Sequence, residues 1–348
     1  MTALECRQPD RVPILEFVID PRVARAICPS VDTQTEFEKT MDFDAVCCSA
    51  EYRKARENPD GTYFDEWGVM FKPGPELQDH PIKGPIASEA DLRDYHCPSP
   101  DASWRLGVLP GLVRKFKYRK AIVFRHRAAF MWSAFLNGMD NLLMNFLNSP
   151  AFAHRLLDRV LEVNLKVARM ALGAGADVIV LGDDYAGTQG PFFSPSVFSE
   201  FILPRLKKMV DVIHEEGGKV IKHSDGNLWL ILDRIIGTGI DGINPLEPIA
   251  GMDIGEVKQK YGNRACLVGN IDVSRLLPHG TEGEVEVAVK ECIRKAGFGG
   301  GHIICSSNSI HSSVNPRNYL AMINAAKRYG VYAGYSEHPP AKPGLWNA

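Results

Sequence analysis

Eight short apolar runs, each closed by polar residues, constrain this chain more than any other feature: Val12–Phe17, Asp44–Cys48, Ala121–Arg125, Ala176–Leu181, Lys219–His223, Asp241–Pro245, Ala265–Gly269 and His302–Cys305. Amphipathic stretches of helical length separate the later runs. A strand–helix unit repeated in this way predicts an α/β chain folded as a (β/α)8 TIM barrel. In such a barrel the C-terminal strand ends and the loops after them build the active site, so polar residues there are the first candidates for chemistry.

With 348 residues, of which 45% are hydrophobic, the chain can bury one large core, and a single domain over 1–348 is expected. Residues 1–100 read as an N-terminal extension in which Tyr63–Phe71, YFDEWGVMF, forms a strand pair capping one barrel end. Further on, Asn141–Gly175 reads as two helices broken at Ser149-Pro150, with the serine as N-cap. Ser194-Pro195 opens another helix that stops at Gly217-Gly218, and helices follow at Asn227–Ile236, Ile254–Tyr261, Glu282–Ala296 and Asn315–Tyr329. Gly297–Gly301 reads as a helix stop and tight turn at the barrel bottom, and the Pro-rich SEHPPAKPGLWNA as a tail.

A net charge of -2, with 24% charged residues of both signs, argues against nucleic acid and against a polybasic membrane anchor. No segment approaches ~18 consecutive apolar residues. The opening MTALECRQPDRVP lacks the basic and apolar regions of a signal peptide, so a cytoplasmic protein is expected, with a homodimer left open. Its eight cysteines show no CxxC spacing, and most should be free, buried thiols, with a metal role only for one beside other ligands. Cys47 and Cys48, adjacent on a strand, point to opposite faces and read as packing.

His223-Ser224-Asp225 ends the fifth run and Cys305 the eighth. Imidazole, carboxylate and thiolate are the side chains that bind Zn²⁺, and a catalytic zinc keeps three protein ligands and an open position. The alternative is a hydrogen-bonded histidine, a helix-capping aspartate and a small buried cysteine. Asp183-Asp184-Tyr185 after the fourth run offers a further ligand, a general acid or contacts to substrate, or else a capping acid. Asn244-Pro245-Leu246-Glu247 and Gly269-Asn270 add amides and a carboxylate to the same rim, although both are also ordinary turn chemistry. Arg125-His126 with Phe130-Met131-Trp132 suits either a flat aromatic substrate or the core.

These strand ends, together with PDRVPI, YFDEWG, GADVIVLGDDY, SPSVFSEFILPRLKK, KHSDGN, GINPLEP, VGNIDV and NPRNYLAMINAAKRYG, resemble the uroporphyrinogen decarboxylase superfamily over nearly the whole chain. Within it they look like the methyltransferase branch, which includes methylcobamide:coenzyme M methyltransferases and corrinoid-dependent aryl O-demethylases. The decarboxylases carry an arginine-rich segment where this chain has Leu15–Asp20, and a late histidine where it has Asn308.

The zinc methyltransferases carry His-x-Cys and a distant cysteine, and the resemblance implies His223, Asp225 and Cys305 as metal ligands, with Asp225 departing from the pattern. A carboxylate in place of a thiolate leaves a harder Lewis acid, suited to a leaving methoxy oxygen. The implied activity is transfer of methyl from a small methoxylated, aromatic substrate to the cobalt(I) corrinoid (cobalamin) of a partner protein. Asp184 and Glu247 are its candidate catalytic acids, and Asp183, Tyr185, His126, Asn244, Asn270 and Asn308 its candidate substrate contacts. Other readings are a methylcobamide:thiol or other methyl-donor methyltransferase, the decarboxylase itself, and a non-catalytic tetrapyrrole-binding protein.

Overall fold

The computed structural model describes residues 1–76 and 79–332, which leaves the Pro-rich tail outside the described residues. In chain order its strands are β1 (Ala45–Ser49), β2 (Lys54–Glu57), β3 (Tyr63–Asp65), β4 (Met70–Lys72), β5 (His80–Lys83), β6 (Ala121–His126), β7 (Val178–Leu181), β8 (Ala186–Gly187), β9 (Gly190–Pro191), β10 (Lys219–His223), β11 (Gly242–Asn244), β12 (Cys266–Val268) and β13 (His302–Ile303). Seven of them form one parallel sheet in the order β1-β6-β7-β10-β11-β12-β13. Helices between successive strands cover its outer face, and the sheet curls into a TIM-barrel-like form.

Strand alternation divides the apolar residues cleanly. Ala45, Cys47, Val123, Val178, Val180, Ile221, Cys266, Val268, Ile303 and Cys305 pack together inside the curl. Their neighbours Val46, Cys48, Ile122, Phe124, Ile179, Leu181, Val220, Ile243 and Leu267 join the larger core under the helices. Cys47 and Cys48 thus face opposite ways, as expected of adjacent strand residues. Ala3 and Leu4, on the turn Thr2–Glu5, belong to the inner cluster and plug the floor.

The first apolar run behaves differently from the other seven. Around Ile14 it touches both edges of the sheet: Leu15 N bonds Ile304 O at 3.1 Å, and Asp44 N bonds Ile14 O at 3.1 Å. Beyond that point side chains interrupt the ladder, until Val18 O and Asp20 N bond the Ile310 backbone at 2.9 and 2.8 Å. Glu16 accepts from Ser306 N at 2.8 Å on one side. On the other, Gln34 accepts from Ile19 N at 3.1 Å and donates to Phe17 O at 3.3 Å, and Glu38 accepts from Cys47 N at 3.3 Å. Two carboxyls and an amide stand where an eighth strand's ladder was expected, so the regular sheet has seven strands among the described residues.

The Tyr63–Phe71 strand pair is present as β3 and β4, paired Tyr63 to Phe71, inside a four-stranded antiparallel sheet β2-β3-β4-β5. Trp67 stacks on Trp132 at 4.7 Å, and Arg105 holds Glu66 by two bonds of 2.6 and 2.9 Å. Trp132 is therefore a core residue that joins this sheet to the barrel, and Phe130 is core packed against Phe146, Tyr185 and Phe193. The break at Ser149-Pro150 separates helices Met139–Asn148 and Pro150–Gly173, although the Ser149 side chain makes no capping bond. Ser194 does cap its helix, accepting from Val197 N. No helix among the described residues is long and apolar enough to cross a membrane.

Candidate metal centre

The inner-face alternation that buries Ile221 brings His223, two residues on, to the C-terminal end of β10. Its Nδ1 lies 2.6 Å from Asn244 Oδ1 on β11, where His223 and Asn244 are register partners. Asn244 Nδ2 donates to Val268 O at 2.9 Å, which fixes the amide so that its oxygen faces the ring. His223 must then donate from Nδ1, which leaves the Nε2 lone pair free. That atom is 3.6 Å from Asp184 Oδ1 and 3.6 Å from Asp225 Oδ1.

Asp184, His223 and Asp225 each offer a ligand atom within 4.8 Å of the others. Asp225 N donates to Asp184 Oδ1 at 3.2 Å, and Asn308 Nδ2 holds Asp225 Oδ2 at 2.6 Å. Asp225 Oδ1 is buried with no hydrogen-bond partner. Burial, with Asp184 and Glu247 close by, pushes the Asp225 carboxyl up to about 6 against the opposing pull of His223 and Asn308. Glu247 is anchored by Gly226 N at 2.9 Å. The tight backbone there needs a glycine: Gly226 has φ +85°, and a Cβ would meet the Ala186 backbone at 2.6 Å.

These donors fit a divalent ion. A tetrahedral ion with ~2.1 Å bonds holds its ligand atoms about 3.4 Å apart, close to the separations seen here. An orphaned carboxylate oxygen and a lone pair held outward by a histidine's own hydrogen bond are what such an ion requires.

Cys305 is not one of the three clustered residues. Its Sγ is 3.5 Å from Glu16 Oε2 and 3.9 Å from Asn244 Nδ2, within the inner apolar cluster. Burial and the adjacent Glu16 push this thiol well above its ordinary range.

The other expected site residues are engaged away from the cluster. Asp183 is fully buried and accepts from the backbone N–H of Ala129 and Phe130 at 2.9 Å. It thereby caps the helix Phe130–Asn137, whose own N-cap position, Ala129, has no capping side chain. Tyr185 is also fully buried, packed against Phe130, Phe193 and Phe198, with Lys222 Nζ over its ring at 4.0 Å. His126 shares the outward face of Phe124; its Nε2 meets Asn164 O at 3.0 Å, and burial pushes the ring down to about 4. Asn270 donates to Leu246 O at 2.7 Å and ties two loops together. The structure thus joins Asp184, Asn244, Glu247 and Asn308 to His223 and Asp225, and turns Asp183, Tyr185, His126 and Asn270 to packing and caps.

A TIM-barrel-like chain with an acid–histidine cluster at its C-terminal strand ends belongs to the class of α/β barrels that carry their chemistry on that face. Within it, residues 68–329 match the family model described as uroporphyrinogen decarboxylase (URO-D), and the chain belongs to that family. A uroporphyrinogen decarboxylase of Colwellia psychrerythraea is 30% identical over 280 residues, 75% of this chain and 74% of that protein. One from Pseudoalteromonas translucida is 24% identical over 281 residues, 76% of this chain and 74% of that protein. Among solved structures, a methyltransferase from Methanosarcina mazei superposes with a TM-score of 0.75 at 20% identity, covering 94% of this chain and 97% of its own.

Proposed function

We propose that this protein is a zinc-dependent methyltransferase that moves a methyl group from a small methoxylated, aromatic substrate to the cobalt(I) corrinoid of a partner protein. The observation that carries the reading is the Asp184–His223–Asp225 cluster, with His223 Nε2 free and Asp225 Oδ1 unpartnered. The methyltransferase name of the Methanosarcina mazei neighbour supports a transferase. Decarboxylation of a many-carboxylate porphyrinogen is disfavoured because the segment Leu15–Asp20 holds no arginine to receive its carboxylates. There Glu16 is buried against Ser306, and Asp20 caps the helix Pro21–Ile27 while pairing with Arg22.

Asp184, His223 and Asp225 would hold the metal, Asn244 would keep His223 in its binding tautomer, and Asn308 would orient Asp225. Bound there, Zn²⁺ supplies Lewis acidity to the ether oxygen. In the proposed transfer the methyl–oxygen bond would break with its electron pair left on oxygen, and the partner's cobalt(I) corrinoid would be the methyl acceptor. Glu247, anchored on Gly226 N beside the cluster, would relay a solvent proton to the departing oxygen.

The test mixes the zinc-loaded protein with 4-methoxyphenol and a reduced corrinoid protein. Methylcobalt and hydroquinone should appear in equal amounts, with no turnover when zinc or corrinoid is withheld. Transfer from methylcobalt to a thiol, with every methoxyarene ignored, would replace this reading by the methylcobamide:thiol one. Conversion of uroporphyrinogen to coproporphyrinogen would replace it by the decarboxylase.

A further inference from the structure

Arg125 is the second-last residue of β6 and shares the inner face with Val123. In register it faces Val180 of β7, which in turn faces Ile221 of β10, so it lies one inner layer below His223 and two strands away. Two strand spacings of ~4.8 Å put the two backbones about 10 Å apart across the sheet. One inner layer adds ~6.6 Å along the strands, so the two side chains rise from backbones on the order of 12 Å apart, a span that one substituted aromatic ring can bridge.

The protein's other buried arginines are fully engaged at their terminal nitrogens. Arg105 holds Glu66 and the carbonyls of Glu51 and Ser99, and Arg205 holds Asp158 and the carbonyls of Phe201 and His154. Arg125 makes no ion pair and no side-chain hydrogen bond among the described residues; its Nε is buried without a partner, as are those of Arg105 and Arg205, so its unengaged terminal nitrogens set it apart. Its neighbours supply no counter-charge: Cys47 and Cys48 are thiols pushed upward by burial, and burial raises the Glu38 carboxyl to about 8. Arg127, also near, donates to Gly182 O at 2.7 Å and adds like charge. A half-buried guanidinium left this way is costly unless a ligand completes it.

We propose that Arg125 pairs with a carboxylate of the substrate, so that the barrel mouth selects a small carboxylate-bearing molecule over its neutral counterpart. The inference rests on the reading of this mouth as the substrate site. A guanidinium on one side and an acid–histidine cluster on the other form a dipolar cradle. The anionic end of a flat substrate goes to Arg125, where a fork of donors matches two carboxylate oxygens. Repulsion from Asp184, Asp225 and Glu247 keeps that end away from the cluster and leaves the opposite end facing His223.

Binding of 4-methoxybenzoate and 4-methoxybenzamide, measured by calorimetry on metal-free and zinc-loaded protein without corrinoid, tests this directly. The carboxylate should bind at least about tenfold tighter than the amide in both forms, as a charged hydrogen-bonded pair implies. Arg125→Gln should abolish the preference with amide binding unchanged, and Arg125→Lys should keep part of it. Should Arg125→Gln fail to fold, a several-fold loss of preference in Arg125→Lys supports the same pairing. An unchanged preference in the variants, or no binding of the carboxylate, overturns the proposal. Because no methyl transfer is read, failure of the transferase reading leaves these results interpretable, and equal binding of acid and amide would sink only the role of Arg125.

Discussion

His223 gives its Nδ1 proton to Asn244 Oδ1 at 2.6 Å, and Asn244 is itself locked by the Val268 carbonyl at 2.9 Å. The ring is thereby held in one tautomer with Nε2 toward two carboxylates. Partners of a ligating histidine typically contribute about 10–100-fold in metal affinity. Asn244→Ala should weaken zinc binding by that order in competition with a chromophoric chelator, while Asn244→Asp, which keeps an acceptor, should largely restore it. Equal affinity in Asn244→Ala and the unaltered protein would remove the amide from the site.

Adjacent aspartates should behave in opposite ways. Asp183 bonds backbone N–H groups of a helix start, whereas Asp184 touches the cluster. Asp183→Ala should cost about 2 kcal/mol in urea unfolding, as loss of a buried charged cap, with the metal stoichiometry of the folded fraction unchanged. Asp184→Ala should leave the unfolding midpoint of metal-free protein nearly in place and lower zinc affinity. Interchanged outcomes would mean that the two side chains have been assigned to the wrong faces.

Much of this division was legible in the chain, because period-two alternation separates Cys47 from Cys48 and places His223 with Ile221 on the inside. Applied to Ala121–His126, the same rule puts Arg125 with Val123 and turns His126 outward, which reading the strand end as a single polar cluster had blurred. Asp183 and Asp184 lie past the last residue of β7, where the backbone leaves the strand and alternation no longer decides. The seven-strand sheet was not legible at all. It depends on Gln34 and Glu38 reaching from a helix to the backbones of Phe17, Ile19 and Cys47, and contacts of that kind leave no periodic trace.

Those side-chain ties make stability depend on pH. Burial raises both Glu16 and Glu38 from 4.5 to about 8. The native state therefore binds more protons than the unfolded chain between these values, and stability falls as pH rises through that window. The stabilisation is fully present below about 4.5 and lost above about 8, with a ceiling of roughly 5 kcal/mol for each group. Urea midpoints should drop between about pH 6 and about pH 9, and Glu16→Gln, which cannot ionise, should flatten part of that slope. A parallel slope in Glu16→Gln would show that Glu16 is ionised in the native protein throughout.

Cys305 gives the sharpest discrimination of the ligand set. Its thiol contacts Glu16 at 3.5 Å and the nitrogen side of Asn244 at 3.9 Å, so Asn244 touches it on one edge and His223 on the other. A thiol must lose its proton to bind zinc, and burial beside a carboxyl opposes that loss. With Asp184, His223 and Asp225 already gathered, removing His223 takes away the only nitrogen donor of the three, whereas removing the sulfur leaves all three in place. His223→Ala should therefore lose bound zinc in elemental analysis after gel filtration, and Cys305→Ser should retain about one ion per chain. If Cys305→Ser lost zinc as completely as His223→Ala, the thiol would enter the ligand set, releasing its proton as the metal binds.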